Sequence, residues 1–266
     1  MTVMIEFEQV SRSYGSKIAV ERLDLRVGSG EIFALLGHNG AGKTTTMKML
    51  VSLLRPQSGT VRVGGFDLAT QPREATSLIG YVPDEPYLYD KLTGREFLQF
   101  VAELYGVSSD RAQQQILREI ERFELGDFVD DLTESYSHGM KQRTVLASAM
   151  LHSPAVLVVD EPMIGLDPPS IRLVKDLLRS EASAGMCIFM STHTLAAVEE
   201  IADRIGIMCQ GRMIFDGTLD QLRNQMSAAN ESLESLYLRM TRQALVDQAS
   251  APDRNGDVGS ASKVKP

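Results

Sequence analysis

Gly37-His38-Asn39-Gly40-Ala41-Gly42-Lys43-Thr44 is the stretch that decides how this chain folds. It fits the pattern G-x-x-x-x-G-K-[ST] and has the flanks that pattern needs. The apolar run 32–36 precedes it, and helix formers such as Lys48, Met49 and Leu50 follow. The glycines let the backbone curl so that successive N–H groups point inward at a phosphate. The following helix adds its unpaired N–H groups and the positive end of its dipole. Lys43 can then reach the β- and γ-phosphates, and Thr44 can set a hydroxyl on Mg2+. By itself the loop says only that a nucleoside triphosphate binds here.

Working outward, Val3, Ile5 and Phe7, then Leu23, Leu25 and Val27, alternate as half-buried strands do. Residues 60–63 and 78–82 read as further short strands. Between 93 and about 125 the period turns helical. Phe97, Phe100, Val101 and Leu104 fall at i, i+3, i+4, i+7, and Ile116, Ile120 and Phe123 at i, i+4, i+7. Strands resume at 155–159 and 186–190, with a helix opened by Pro168 between them. Strands alternating with helices predict a parallel sheet covered on both faces, with 92–150 a helical subdomain inserted into it. Gln210-Gly211, between the runs 205–209 and 213–215, predicts a two-residue hairpin. One domain is expected over 1–240. After about Val246 the chain is rich in Ser, Ala, Asp, Gly and Lys without periodicity, and a disordered C-terminal tail is expected over 241–266.

The composition narrows the function. A hydrophobic share of 43% over 266 residues supports a substantial core. A net charge of −8 without a basic run argues against a nucleic-acid partner. The two cysteines, Cys187 and Cys209, sit in apolar segments and read as buried small hydrophobes, which suits a reducing cytoplasm. Apolar runs such as 32–36 reach five residues, whereas a membrane span needs about 18. The first residues carry Glu6 and Glu8, so no secretory signal is expected.

The run 155–159 ends in Asp160-Glu161. A buried parallel strand delivers its last residue to the crevice where such sheets bind nucleotides. Asp160 is placed there to hold Mg2+, directly or through water. Glu161, one step on, points elsewhere and can polarise an attacking water, a task worth about 10²–10⁴-fold in rate. Taken alone, the pair also admits a reading as carboxylates capping the next helix.

Tyr136-Ser137-His138-Gly139-Met140-Lys141-Gln142-Arg143 resembles the signature L-S-G-G-Q-x-Q-R of ATP-binding-cassette (ABC) proteins, with Ser137, Gly139, Gln142 and Arg143 in register. Other landmarks of that family follow the same order. Tyr14 stands where the family stacks an aromatic on adenine. Residues 37–45 match its phosphate loop, including Thr45. Gly165-Leu166-Asp167 match the loop that touches the opposite subunit, and His193 the histidine that senses the γ-phosphate. The resemblance spans about residues 3–240. It implies a P-loop NTPase of α/β class, a mixed sheet with an N-terminal antiparallel β subdomain and the inserted helical subdomain. It also implies an ATPase using ATP and Mg2+, with two subunits, identical or paired, enclosing two ATP molecules head to tail. The start of the signature helix, Ser137 with Gly139 and Met140, would supply a second set of phosphate donors to the partner's nucleotide. The partner to be driven is a separate transmembrane permease, and the chain would lie on the inner face of the cell membrane through it. Residues 233–238 (Leu-Glu-Ser-Leu-Tyr-Leu) resemble the branch serving drug, polysaccharide and lipid exporters.

Three positions depart from the commonest pattern. Asp84 stands where the family carries a glutamine that touches Mg2+ and the attacking water. A carboxylate there predicts an altered metal dependence. His138 replaces the signature's first glycine, has no acidic partner in sight, and is expected to lie outside contact with the nucleotide. Met163-Ile164 replaces a small polar pair, with better packing the one physical reason in view. Tyr87, Leu88 and Tyr89 form an apolar knob that reads equally as a docking point for the membrane partner or a satellite core cluster. Tyr14 taken alone could be a surface tyrosine, and His193 a neighbour of a helix cap. The competing functions are an ABC ATPase acting on ribosomes or DNA, and a GTPase or small-molecule kinase. A single phosphate loop, the acidic balance and the lack of sustained heptads argue against the first. The lack of a guanine-reading Asn/Thr-Lys-x-Asp element argues against the second.

Overall fold

The computed structural model describes residues 2–228 and 231–249. Two sheets carry them. The first is antiparallel, in the order β2-β1-β4-β5, built from β1 (Val3–Tyr14), β2 (Lys17–Gly28), β4 (Ser58–Val63) and β5 (Phe66–Asp67). The second is mixed, in the order β10-β9-β3-β8-β7-β6. Its strands are β3 (Ile32–Leu36), β6 (Ile79–Val82), β7 (Val156–Asp160), β8 (Cys187–Ser191), β9 (Arg204–Cys209) and β10 (Arg212–Gly217). All its pairings are parallel except β9 with β10. That last turn is the expected hairpin, with Gln210 and Gly211 at φ 47° and 82°, the positive pair a tight primed turn needs.

Every residue of β3, β7 and β8 is buried, as parallel strands covered on both faces must be. Their alternation survives in which core each residue enters. Phe33 and Leu35 face the antiparallel sheet, where Phe33 stacks on Phe189 at 5.5 Å. Ile32, Ala34 and Leu36 face the opposite core under the helices. One short strand thereby ties both layers together at the point where the phosphate loop leaves it.

Between β6 and β7 lie α3 (Gly94–Leu104), α4 (Ser109–Arg122) and α5 (His138–Met150). Thr93 and Glu96 close a reciprocal capping box at the start of α3. The buried face of α3 is Phe97, Leu98 and Ala102, whereas Phe100 and Leu104 of the expected stripe are exposed. Two apolar stripes overlap on this helix, and the one through Phe97, Leu98 and Ala102 is turned into the core, with Val101 partly buried beside it. On α4 the expected Ile116 and Ile120 are buried, as is Phe123 at its C-cap. The helix opened by Pro168 is α6 (Pro168–Ser183).

After β10 come α8 (Leu219–Gln225) and α9 (Leu233–Ala249). The expected tail from 241 therefore begins as helix. Leu233, Leu236, Met240 and Thr241 are buried against the body and carry the helix across that boundary. The rest of the expected tail, 250–266, lies outside the described residues. Among the described residues no helix is long and apolar enough to cross a membrane. Cys187 and Cys209 are buried free thiols, as expected.

Candidate active site

Chain direction reverses just after Leu36. Residues 37–42 deliver the backbone to α1 (Lys43–Leu50), with Gly42 as N-cap at φ 116°. A Cβ on Gly42 would stand 2.4 Å from the carbonyl oxygen of Ala19, and one on Gly37 2.8 Å from that of Met208. Both positions therefore exclude any side chain. The β9–β10 hairpin braces the loop, since Gly211 N–H donates to the Ala41 carbonyl at 2.8 Å. His38, Asn39 and Gly40 form its exposed rim. Lys17, in the strand that follows the turn beyond Tyr14, brings its Nζ within 3.8 Å of where a Cβ on Gly40 would sit. That cation belongs to no motif, so the sequence reading missed it.

Lys43 is 7% exposed, and its Nζ donates to the Gly37 carbonyl at 2.6 Å. Burial lowers the ammonium's pKa, while the nearby charges of Glu161 and Asp160 raise it. All three thus share one neighbourhood. Thr44 is exposed on the first turn of α1 and Thr45 half-buried beside it.

Asp160 ends β7, paired in register with Ser191 at the end of β8. Ser191 Oγ donates to Asp160 Oδ1. Burial pushes this carboxyl's pKa up, the serine hydrogen bond pulls it down, and the charge of Asp84 adds to the rise. Tyr81, half-buried on β6, is pushed up to about 12, mainly by burial, with Asp160 and Asp84 contributing. Asp84 itself is exposed at the rim.

Glu161 leaves the strand at φ 51°, a backbone state that costs a non-glycine residue about 1–3 kcal/mol. The turn aims its carboxylate at His193. Oε1 lies 2.8 Å from Nδ1 of the imidazole, and Oε2 accepts the His193 N–H at 3.2 Å. The two residues are 32 positions apart, and only the parallel pairing of β7 and β8 makes them neighbours. A cavity of about 340 Å3 opens between the phosphate-loop rim and His193, closed on one side by Tyr237 of α9. In the sequence Tyr237 figures only within the 233–238 resemblance, with no signal placing residue 237 beside residue 38.

Tyr14 is half exposed at the end of β1, with the Arg12 guanidinium 5.3 Å from its ring centre. Ser137 is the N-cap of α5, its hydroxyl accepting Met140 N–H at 3.3 Å. Gly139 follows it. Asp167 is the N-cap of α6, accepting Ser170 N–H at 3.2 Å, and the hydrogen bonds from Ser170 lead in holding its carboxyl below the ordinary range. Among the described residues no hydrogen bond joins Ser137, Gly139, Met140 or Asp167 to Lys43, Asp160, Glu161 or His193. His138 meets no carboxylate among the described residues; its hydrogen-bond partner is the carbonyl oxygen of Ile164 at 3.1 Å. Met163 is buried in the core, in keeping with the packing reading, while Ile164 is exposed.

The family model for the ABC transporter matches residues 20–164. This chain belongs to that family. As an ABC transporter ATPase it has close relatives among curated proteins. One is the daunorubicin/doxorubicin resistance ATP-binding protein of Streptomyces peucetius, 37% identical over 227 residues, 85% of this chain and 69% of the relative. Another is the bacitracin transport ATP-binding protein of Enterococcus faecalis, 37% identical over 226 residues, 85% of this chain and 72% of the relative. Among solved structures, an ATP-binding subunit of an ABC transporter superposes with a TM-score of 0.84 at 33% identity, covering 90% of this chain and 99% of that one. A dimeric ATP-binding cassette bound to ADP and Pi matches at a TM-score of 0.70 and 22% identity, a likeness of fold. The ABC ATPase fold, with its antiparallel sheet and mixed sheet, is the one the sequence predicted, and neither competing function is favoured.

Proposed function

We propose that this ABC ATPase works as a head-to-tail dimer that encloses two ATP molecules and drives a separate transmembrane exporter from the inner face of the membrane. The observation that carries this reading is the pairing of Glu161 with His193 in the same neighbourhood as Lys43 and Asp160, while among the described residues no hydrogen bond joins the Ser137–Met140 helix start to any of those four. In this reading those four residues make one half of a pocket, and the helix start is the half that each subunit offers to its partner. A second copy supplies the missing half.

In that arrangement the curled loop from Gly37 to Gly42 and the α1 N-terminus bind the phosphates. Lys43 sits among them as the buried cation, and Thr45 supports it. The rim residues His38 and Asn39 border the γ-phosphate side. Tyr14 stacks on adenine. Thr44, Asp160 and Asp84 offer the oxygen donors that suit Mg2+, and two of them are carboxylates. When bound, the ion supplies neutralisation of charge building on the phosphate oxygens. Glu161 accepts the proton of the attacking water, and His193 fixes the Glu161 carboxylate and faces the γ-phosphate. Ser137, Gly139 and Met140, with Asp167 beside them, serve the partner's nucleotide. The exporter assignment is supported by the drug-resistance and bacitracin-transport relatives. Exposed Tyr87, at the tip of the apolar knob it forms with Tyr89, is the docking point for the permease.

The test is Glu161→Gln with ATP and Mg2+, followed by light scattering. Slowed hydrolysis should trap the dimer. A strictly monomeric protein that also fails to bind ATP would overturn the proposal.

A further inference from the structure

The position where this chain departs from the usual signature makes a contact a glycine could not make. His138 is the first residue of α5, immediately after the Ser137 cap. Its Nε2–H donates to the Ile164 carbonyl at 3.1 Å. Its ring lies against Gly165, where a Cβ would come within 2.6 Å of His138 Cδ2, and Gly165 at φ 70° accommodates both demands. Next along, Leu166 packs toward Gly139. Ile164 in turn donates its N–H to the Glu161 carbonyl at 3.3 Å. The turn that carries Glu161 and the helix start that carries Ser137 are therefore joined through one peptide unit and one imidazole.

We propose that His138 is a positioning residue that latches the hydrolytic turn of each subunit to the donor edge it presents to its partner. This rests on the dimeric reading above. Without a side chain at 138, the Ile164 carbonyl loses its tie to the start of α5, and the looser packing of Leu166 toward Gly139 is left to hold the two segments in step. With it, the two move as one body, and a change at Glu161 in one site is carried to the phosphate donors of the other. Such coupling is a free energy between sites, and its typical size corresponds to a factor of about 5–150.

The experiment compares His138→Gly and His138→Gln with the parent protein, each also combined with Glu161→Gln. His138→Gly should lower kcat at least about fivefold while KM for ATP and the melting temperature stay near parent values. In the Glu161→Gln background it should weaken ATP-driven dimerisation by a similar factor. His138→Gln, which keeps an N–H donor, should recover most of both. Unchanged kcat and dimerisation in His138→Gly would overturn the latch while leaving the dimer intact. A drop in melting temperature that tracks the loss, with no recovery in His138→Gln, would overturn it in favour of a merely structural role. If Glu161→Gln alone never dimerises with ATP, the dimeric reading and the latch fall together.

Discussion

The Glu161 carboxylate holds His193 at two points, the imidazole Nδ1 at 2.8 Å and the backbone N–H at 3.2 Å. With a carboxylate as its partner, Nδ1 carries the proton and Nε2 is left to face outward. The Glu161 side chain is 12% exposed and that of His193 61%, so the acid is sheltered and the histidine forms the wall toward solvent. Glu161→Gln should lower kcat by about 10²–10⁴-fold with ATP binding retained. His193→Ala should remove most hydrolysis with nearly unchanged ATP affinity. Equilibrium binding of a fluorescent ATP analogue beside steady-state turnover checks both.

Tyr14 has one ring face taken by Arg12 and is half exposed. Stacking of an aromatic on a base is worth about 1–3 kcal/mol. Tyr14→Ala should weaken ATP binding severalfold to about a hundredfold, Tyr14→Phe should hardly change it, and neither should move the melting temperature much. Titration calorimetry with ATP decides, and equal affinities for the alanine and phenylalanine variants remove Tyr14 from the adenine site.

Asp84 lies close enough to Asp160 and Tyr81 to raise the pKa of both. Asp84→Gln takes one negative charge from the proposed Mg2+ donors. The Mg2+ concentration for half-maximal ATPase should rise, with the fold intact. A superimposable Mg2+ curve would end the metal role for this residue.

His152 stacks on Tyr105 with ring centres 3.8 Å apart and donates from Nε2 to the Ile79 carbonyl at 3.0 Å, while its buried Nδ1 has no partner. Burial, the larger effect, lowers its pKa, against the hydrogen bond to Ile79. The folded state therefore binds this proton less readily than the unfolded chain. Its contribution to stability is complete above about pH 6.5 and is lost as pH falls below that value. Glu119 and Asp160, whose carboxyls burial pushes up, act in the opposite sense. The informative quantity is thus the difference between parent and His152→Gln. The parent should lose melting temperature faster between pH 7 and pH 5, and parallel curves would contradict the assignment.

Tyr87 is 72% exposed, whereas Tyr89 packs against Phe97 and Phe100 at 6.4 and 5.5 Å. Tyr89 thus has the contacts of a packed cluster, and the docking proposed above is left to Tyr87. Tyr87→Ala should uncouple transport and spare basal ATPase, with only its edge-on contact to the Tyr89 ring at 5.7 Å lost from the fold. Tyr89→Ala should add a stability cost of about 0.5–1.5 kcal/mol from the lost aromatic contacts. Denaturant melts of the two variants separate these effects.

Most of the fold was legible because its signals are local. The loop from Gly37 to Thr44, the Gln210-Gly211 hairpin and the helix opened by Pro168 each depend on a few adjacent residues. The failures share one cause. Phe100 and Leu104 read as core because periodicity cannot choose between overlapping stripes on α3. The tail from 241 read as disordered because burial of Met240 and Thr241 depends on what α9 meets. The hydrogen bond of His138 could not be read from the sequence because Ile164 is 26 residues away and offers only a carbonyl.

From residue order alone came the triphosphate loop, the acidic pair, the α/β class and the family. Spacing along one backbone encodes those features, since each needs particular side chains within a turn or two of each other. Tertiary structure decided the meetings: Ser191 with Asp160, His193 with Glu161, Gly211 with Ala41, Tyr237 beside the loop rim, and His138 with Ile164. Each joins segments between 26 and about 200 positions apart. Strand register and helix packing set those distances, and both arise only once the two cores close on either face of β3.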